Sequence, residues 1–200
     1  EILHKNKELQ DLSTEQKRLL EETYKRFIRS GANLDEKSME RLTIINSSLS
    51  SLSVKFDQNV LKETNSFSMV IDNEADLEGL PAEEIRQAAL LADSEGEHGK
   101  WVFKPTRVSM YPFLTYSSKR ELREELLNSY LQRGDNDNEF DNKEVIADMI
   151  SLRKEKAEMM GFESHSDYVL DNTMAKTPEN VDKLLQTIWK PGLEKAKGEV

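Results

Sequence analysis

Leu42-Thr43-Ile44-Ile45-Asn46-Ser47-Ser48-Leu49-Ser50-Ser51-Leu52-Ser53-Val54-Lys55-Phe56-Asp57-Gln58-Asn59-Val60 is the stretch whose reading decides the fold. Within it Leu42, Ile45, Leu49, Leu52, Phe56 and Val60 recur at steps of three and four, the spacing of one helical face. No Gly or Pro interrupts the run from Asp35 to Asn65, so it predicts one helix over about 36–65, on the order of 45 Å long. An apolar seam of that length needs other helices packed along it. The expected class is therefore all-α, a multi-helix bundle arranged around one long helix.

On the N-terminal side, Leu20, Tyr24, Phe27 and Ile28 form a shorter helical face. Ser13 and Gln16 make a capping box before it, and Gly31 is its stop. Beyond the long helix the rhythm changes: Phe67, Met69 and Ile71 alternate with Ser68, Val70 and Asp72, and Trp101-Val102-Phe103 is a second β-favouring run. These predict a minor two-stranded ribbon whose direction the alternation leaves open. A helix in the connection opens at Pro81, taken as its first helical position, and ends near Gly96. Four further helix starts follow. Ser118 with Glu121 and Asp141 with Glu144 read as capping boxes, with stops at Gly134 and Gly161. Ser164 opens a short helix, and Thr177-Pro178 opens the last, with a kink expected at Pro191.

Composition narrows the function classes. The chain has 200 residues, 38 acidic against 28 basic, for a net charge of −10, which argues against nucleic-acid or anionic-membrane partners. It contains no cysteine, which excludes disulfides, cysteine nucleophiles and Cys-ligated metal sites. No apolar run approaches the roughly 20 residues that span a bilayer. No linker or internal repeat divides the chain, so residues 1–200 read as a single helical region. Glu1-Ile2-Leu3-His4 carries no initiator Met or signal pattern, and Leu193 to Val200 reads as a helix running off the end. The expectation is a piece of a longer protein. The lack of cysteine fits a cytoplasmic location and is compatible with the periplasm.

No residue earns assignment to a site on its own pattern: catalytic none, cofactor-binding none, metal none. A helical H-E-x-x-H zinc motif needs two histidines four apart, and His4, His98 and His165 are far apart in sequence. Each reads as exposed or locally hydrogen-bonded. Asp135-Asn136-Asp137-Asn138-Glu139-Phe140-Asp141 imitates the start of an EF-hand loop, but Phe140 stands at the glycine position and Ile146 at the bidentate glutamate. A solvated turn between capped helices is the better reading. Glu21-Glu22, Glu83-Glu84 and Glu124-Glu125 are neighbours that point in different directions from a helix, so they read as solvated faces. Lys119-Arg120 and Arg153-Lys154-Lys156 alternate with acids, as intrahelical ion pairs do. No Gly-rich phosphate loop or G-x-S-x-G elbow is present.

The order of segments is more telling than any one of them. Ala32-Asn33-Leu34-Asp35 leads into the long helix with Leu49-Ser50-Ser51-Leu52-Ser53 and Lys55-Phe56-Asp57-Gln58-Asn59-Val60. Ala75-Asp76-Leu77-Glu78-Gly79-Leu80-Pro81, Tyr111-Pro112-Phe113-Leu114 and Arg120-Glu121-Leu122-Arg123-Glu124 follow. Then come Arg133-Gly134, Phe140-Asp141-Asn142, Leu152-Arg153-Lys154-Glu155-Lys156-Ala157, Gly161-Phe162, Asp167-Tyr168-Val169-Leu170 and Met174-Ala175-Lys176-Thr177-Pro178. In this order, from about Ser13 to Val200, the chain resembles the non-catalytic, N-terminal-side region of the thimet oligopeptidase / oligopeptidase A family of zinc metallopeptidases. Within that family it looks most like the bacterial peptidyl-dipeptidase branch. The loop from Asp135 to Glu139 is more acidic than the family pattern.

The resemblance implies an intact enzyme that binds one zinc ion and hydrolyses short peptides, its H-E-x-x-H helix lying in a catalytic portion beyond this chain. The helices here would form one wall of the substrate channel, inactive alone and binding no zinc. Its partners would be short peptide substrates and that missing catalytic portion. Apolar stripes normally covered by the latter would make the isolated piece self-associate. The alternative is a free-standing helical protein-interaction module, its apolar seams serving as partner grooves.

Overall fold

The computed structural model describes residues 2–5 and 12–199. In chain order the helices are α1 (Ile2–Lys5), α2 (Thr14–Arg29), α3 (Glu36–Ser66), α4 (Ala82–Glu95), α5 (Arg107–Tyr116), α6 (Arg120–Leu131), α7 (Lys143–Met159), α8 (His165–Leu170) and α9 (Pro178–Lys197). Strands β1 (Met69–Ile71) and β2 (Trp101–Phe103) flank α4 in the chain. The expected class holds: a mainly helical protein with one long helix and a small two-stranded accessory. No helix among the described residues is long and apolar enough to cross a membrane. Two compact units divide the chain, Ser51–Asp148 and the pair of segments Glu1–Ser50 and Met149–Val200.

In the Ser51–Asp148 unit, β1 and β2 pair antiparallel with Met69 opposite Phe103, Val70 opposite Val102 and Ile71 opposite Trp101. Strand direction, open in the sequence, is settled by the chain's return after α4. The alternation places Met69 and Ile71 inside and Val70 outside. They join Leu77, Leu80, Ala88, Phe103, Met110, Phe113 and Leu126 in one buried cluster. Phe103 and Phe113 meet edge to face, ring centroids 4.6 Å apart.

Between β1 and α4 the chain turns at Gly79, whose φ of +91° suits a residue without a side chain. A Cβ there would overlap the carbonyl oxygen of Tyr116. The same close approach lets the Ser118 N–H donate to the Glu78 carbonyl at 2.9 Å, while the Ser118 hydroxyl donates to the Glu78 carboxylate at 2.9 Å. Ser118 is therefore committed to this turn, and the capping box expected of it does not form. Lys119 stands at the N-cap of α6 and makes no side-chain cap bond. Pro81, likewise, is the N-cap of α4 rather than its first helical residue.

Helix α5 has no counterpart in the sequence reading, because Pro112 lies inside it. Thr106 caps it, and Met110 and Phe113 bury one face in the core. That burial outweighs the hydrogen bond lost at the proline.

In the other unit, Ser13 and Gln16 make the expected capping box, the Ser13 N–H donating to Gln16 Oε1 at 2.9 Å. Gly31, at φ +99°, ends α2, and the Ala32 N–H reaches back to the Phe27 carbonyl at 3.1 Å. A Cβ on Gly31 would come within 2.7 Å of Leu42 Cδ2, so the turn lies close against α3. Arg41 of α3 grips Glu155 of α7 through two bonds of 2.6 and 2.7 Å, and Lys156 donates to Asn46 at 2.7 Å. Ser164 and Thr177 cap α8 and α9 as expected. Helix α9 runs unbroken through Pro191.

Apolar burial is thin in this unit: its buried hydrophobics among the described residues are Leu42, Ile45 and Ala157. No residue of α9 is buried, and Leu184, Leu185, Ile188 and Trp189 are each about 60% exposed.

Candidate functional site

Polar groups converge most densely where the second half of α3 meets the loop from Gly134 to Asn142. Phe56, Asn59 and Glu63 lie three and four apart, on one side of α3. Asn142, itself buried, donates to the Phe56 carbonyl at 3.2 Å and accepts from Asn59 at 2.9 Å. The buried Glu63 carboxylate accepts the Gly134 N–H on one oxygen. Its other oxygen accepts the Asn136 and Asn138 amides, each at 2.7 Å. Burial raises the Glu63 pKa, but these three hydrogen bonds outweigh it and hold the group below its ordinary value. Both oxygens are occupied by hydrogen-bond donors, so the carboxylate's role is to fix the loop.

The sequence reading missed this network. The available signal was polar Asn59 and Glu63 continuing the buried side of an apolar stripe.

The calcium-like run next to it already holds a cation. The Lys143 ammonium lies 2.7 Å from Asp135, 2.8 Å from Asp137 and 2.7 Å from Asp141. These three carboxylates raise its pKa. The Asp141 carboxylate also accepts the Lys143 backbone N–H at 2.8 Å, in an Asx turn just before α7. The capping box expected from Asp141 and Glu144 is thus displaced, with Asn142 preceding the first helical residue.

The three histidines lie in unrelated settings. His4 stacks on Tyr24 at 3.8 Å, and exposed His98 meets Asp93 at 3.0 Å. His165 departs from the expected exposed or hydrogen-bonded setting, since its Nδ1 is buried with no partner. Burial first, then Arg153 and Lys156, pushes its pKa down. Among the described residues no group of three His, Cys, Asp or Glu side chains is placed to hold a metal ion.

Three of the six paired acids are ion-pair partners within their helices: Glu22 with Arg18 at 2.6 Å, Glu21 with Lys25 at 3.6 Å and Glu83 with Arg86 at 2.6 Å. Glu83 is held at about 2 by Arg86 and then Gln87. Of the basic clusters, Lys154 pairs within its helix with Glu158, whereas Lys119 reaches across to Asp76. Such exposed pairs are screened by solvent and add little to stability.

The structure thus defines a mainly helical class of protein in which many charged side chains, among the described residues, hold helices and turns together. Comparison with known proteins gives that class a family. The profile of peptidase family M3 matches residues 113–200. Oligopeptidase A of Haemophilus influenzae is 34% identical over 183 residues, covering 90% of this chain and 27% of that protein. The probable cytosolic oligopeptidase A of Arabidopsis thaliana is 31% identical over 192 residues, 92% of this chain and 27% of its own length. A dipeptidyl carboxypeptidase of Escherichia coli is 27% identical over 189 residues, 94% of this chain and 28% of its own. These matches support the assignment of the chain to peptidase family M3. It spans about a quarter of the length of the curated relatives it matches.

Proposed function

We propose that this chain is a non-catalytic helical part of a zinc-dependent M3 oligopeptidase or peptidyl-dipeptidase that hydrolyses short peptides in the cytoplasm. The observation that carries this reading is a match over about nine-tenths of the chain to about a quarter of the length of known peptidases. The described residues do not fit zinc: His4, His98 and His165 stand apart, and no trio of ligands converges. On this proposal zinc chemistry belongs to the rest of the enzyme, and these helices supply one wall of the channel that admits the peptide.

The purified chain is expected to bind well under one equivalent of zinc and to leave a quenched fluorescent peptide uncut. Stoichiometric zinc, or zinc-dependent hydrolysis by the chain alone, would overturn the reading.

The exposed stripe of Leu184, Leu185, Ile188 and Trp189 on α9 supports the same reading, since a contiguous apolar face on a thinly packed unit is suited to a covering partner. That partner is the catalytic portion of the same polypeptide. Without it, the chain should self-associate as its concentration rises, and Leu185→Lys with Trp189→Lys should restore the monomer. Sedimentation showing a monomer at every concentration, with no binding of a hydrophobic dye, would remove this part of the proposal.

A further inference from the structure

Helix α8 is held in place by few contacts, and they converge on one ring. None of its six residues is buried, so apolar packing does little to keep it seated. Tyr168 supplies the grip on α2. The Arg29 guanidinium carbon lies 4.2 Å from the Tyr168 ring centroid, and its Nη2 donates to the Tyr168 carbonyl at 2.7 Å. In return the Tyr168 hydroxyl donates to the Arg29 carbonyl at 3.2 Å. Phe162, in the turn after α7, meets the same ring edge to face at 5.4 Å.

His165 stands one turn before Tyr168, with 6.4 Å between the ring centroids. Its Nδ1 is buried and has no hydrogen-bond partner. A neutral imidazole leaves one ring nitrogen without a proton, whereas an imidazolium carries an N–H on both. Protonation therefore puts a donor where no acceptor waits. The surrounding charges make this worse. Lys156 of α7 brings its ammonium to 5.9 Å from the Tyr168 ring, and Arg153 lies one turn from it on the same helix face. Arg29 of α2 is the third cation at that ring. The acids nearby are turned to other partners: Asp167 accepts the Ser164 hydroxyl at 2.6 Å, Asp171 faces Arg29 at 3.4 Å and Glu155 holds Arg41 at 2.6 Å. Glu179 of α9 meets Asp167 as a like charge. No carboxylate, Glu163 included, pairs with His165 among the described residues.

We infer that α8 is an acid-released latch: with His165 neutral it seats against α2 and α7, and with His165 protonated it lifts off, freeing the segment that leads into α9. Burial, then Arg153 and Lys156, lower the histidine's pKa in the seated state. A base whose pKa is depressed on docking leaves the seated state fully favoured above its free value, about 6.5. As the pH falls below that value the released state gains the proton and the seated state does not, so the latch weakens.

The test is hydrogen exchange of the whole chain, corrected for intrinsic rates. The Tyr168 and Asp171 amides donate to Ser164 and Asp167 across α8, and so report its seating. Their protection should fall about five- to tenfold between pH 7.5 and pH 5.5. It should also stay below that of Ile45 in α3 at both values, as a local opening requires. His165→Gln should abolish the pH effect. Lys156→Gln, which keeps a donor for Asn46 but removes the charge, should raise the His165 midpoint read from its imidazole NMR signal and shrink the effect. His98→Gln, in the other unit, should change neither.

A His165 signal titrating at or above the value of a free histidine would overturn the latch. So would α8 protection that ignores pH, an undiminished pH effect in His165→Gln, or protection equal to that of Ile45. Should His165→Gln fail to fold, the native titration and Lys156→Gln decide the matter. None of these readouts depends on the peptidase reading.

Discussion

Replacing Glu63 with Ala should destabilise the Ser51–Asp148 unit by about 2–4 kcal/mol, through lost hydrogen bonds to a buried carboxylate and a buried N–H left without its acceptor. The carboxylate occupies both oxygens with donors from Gly134, Asn136 and Asn138. Alanine leaves the buried Gly134 N–H without an acceptor, at a cost of about 1–3 kcal/mol, and releases the exposed Asn136 and Asn138 side chains that tie the loop to α3. Glu63→Gln keeps the volume and one acceptor, so about half that loss is expected. Urea unfolding at neutral pH measures both, and a loss below about 1 kcal/mol for Glu63→Ala would show that the network does not hold the loop.

The same residue sets an acid sensitivity. Burial pushes the Glu63 pKa up, the three hydrogen bonds push it further down, and the net value lies below 4.5. A carboxyl group with a depressed folded-state pKa contributes stability that is complete above its unfolded value and disappears as the pH falls through its folded value. Stability should therefore drop below pH 4.5 in the native chain, and the difference between it and Glu63→Gln should narrow there. A gap that stays constant from pH 7 to pH 3 would contradict this assignment.

Phe113→Ala is expected to cost about 3–5 kcal/mol, as for other fully buried aromatic side chains. Phe113 has no exposed surface and meets Phe103 edge to face within the same cluster as Met110 and Leu126. Truncation removes apolar burial, opens a cavity and breaks the ring pair, the last worth about 0.5–1.5 kcal/mol. Phe113→Leu should retain most of the volume and lose less than half as much. Phe27→Ala on α2 is the contrast: that side chain is 63% exposed, and its loss should stay within about 0.5 kcal/mol. Thermal unfolding that shifts equally for Phe113→Ala and Phe27→Ala would show that the Phe103–Phe113 cluster is not the core of its unit.

The two expected losses lie on opposite sides of what a sequence reveals. Phe113 sits in Tyr111-Pro112-Phe113-Leu114, a segment whose proline argues against a helix. Burial of Met110 and Phe113 nevertheless holds α5 together. Glu63 continues a stripe whose earlier members are apolar, and nothing local says that three donors arrive from about seventy residues downstream. Ser118 shows the reverse error. Its capping-box pattern with Glu121 was complete, yet Glu78, distant in sequence, takes its N–H and hydroxyl. Ser13, with no such competitor among the described residues, caps α2 as its pattern predicts.

Taken by itself, the chain's pattern determined the mainly helical class, the long α3, the two short strands and most helix starts. Those depend on interactions across three to seven residues, where periodicity and caps act directly. Tertiary structure alone decided strand direction, the survival of α5 through Pro112, the use of Ser118 in the Gly79 turn and the capture of the 134–138 loop by Glu63. Each of these depends on which distant donors, acceptors and apolar surfaces meet, and burial sets the strength of such meetings in a way that neighbouring residues cannot.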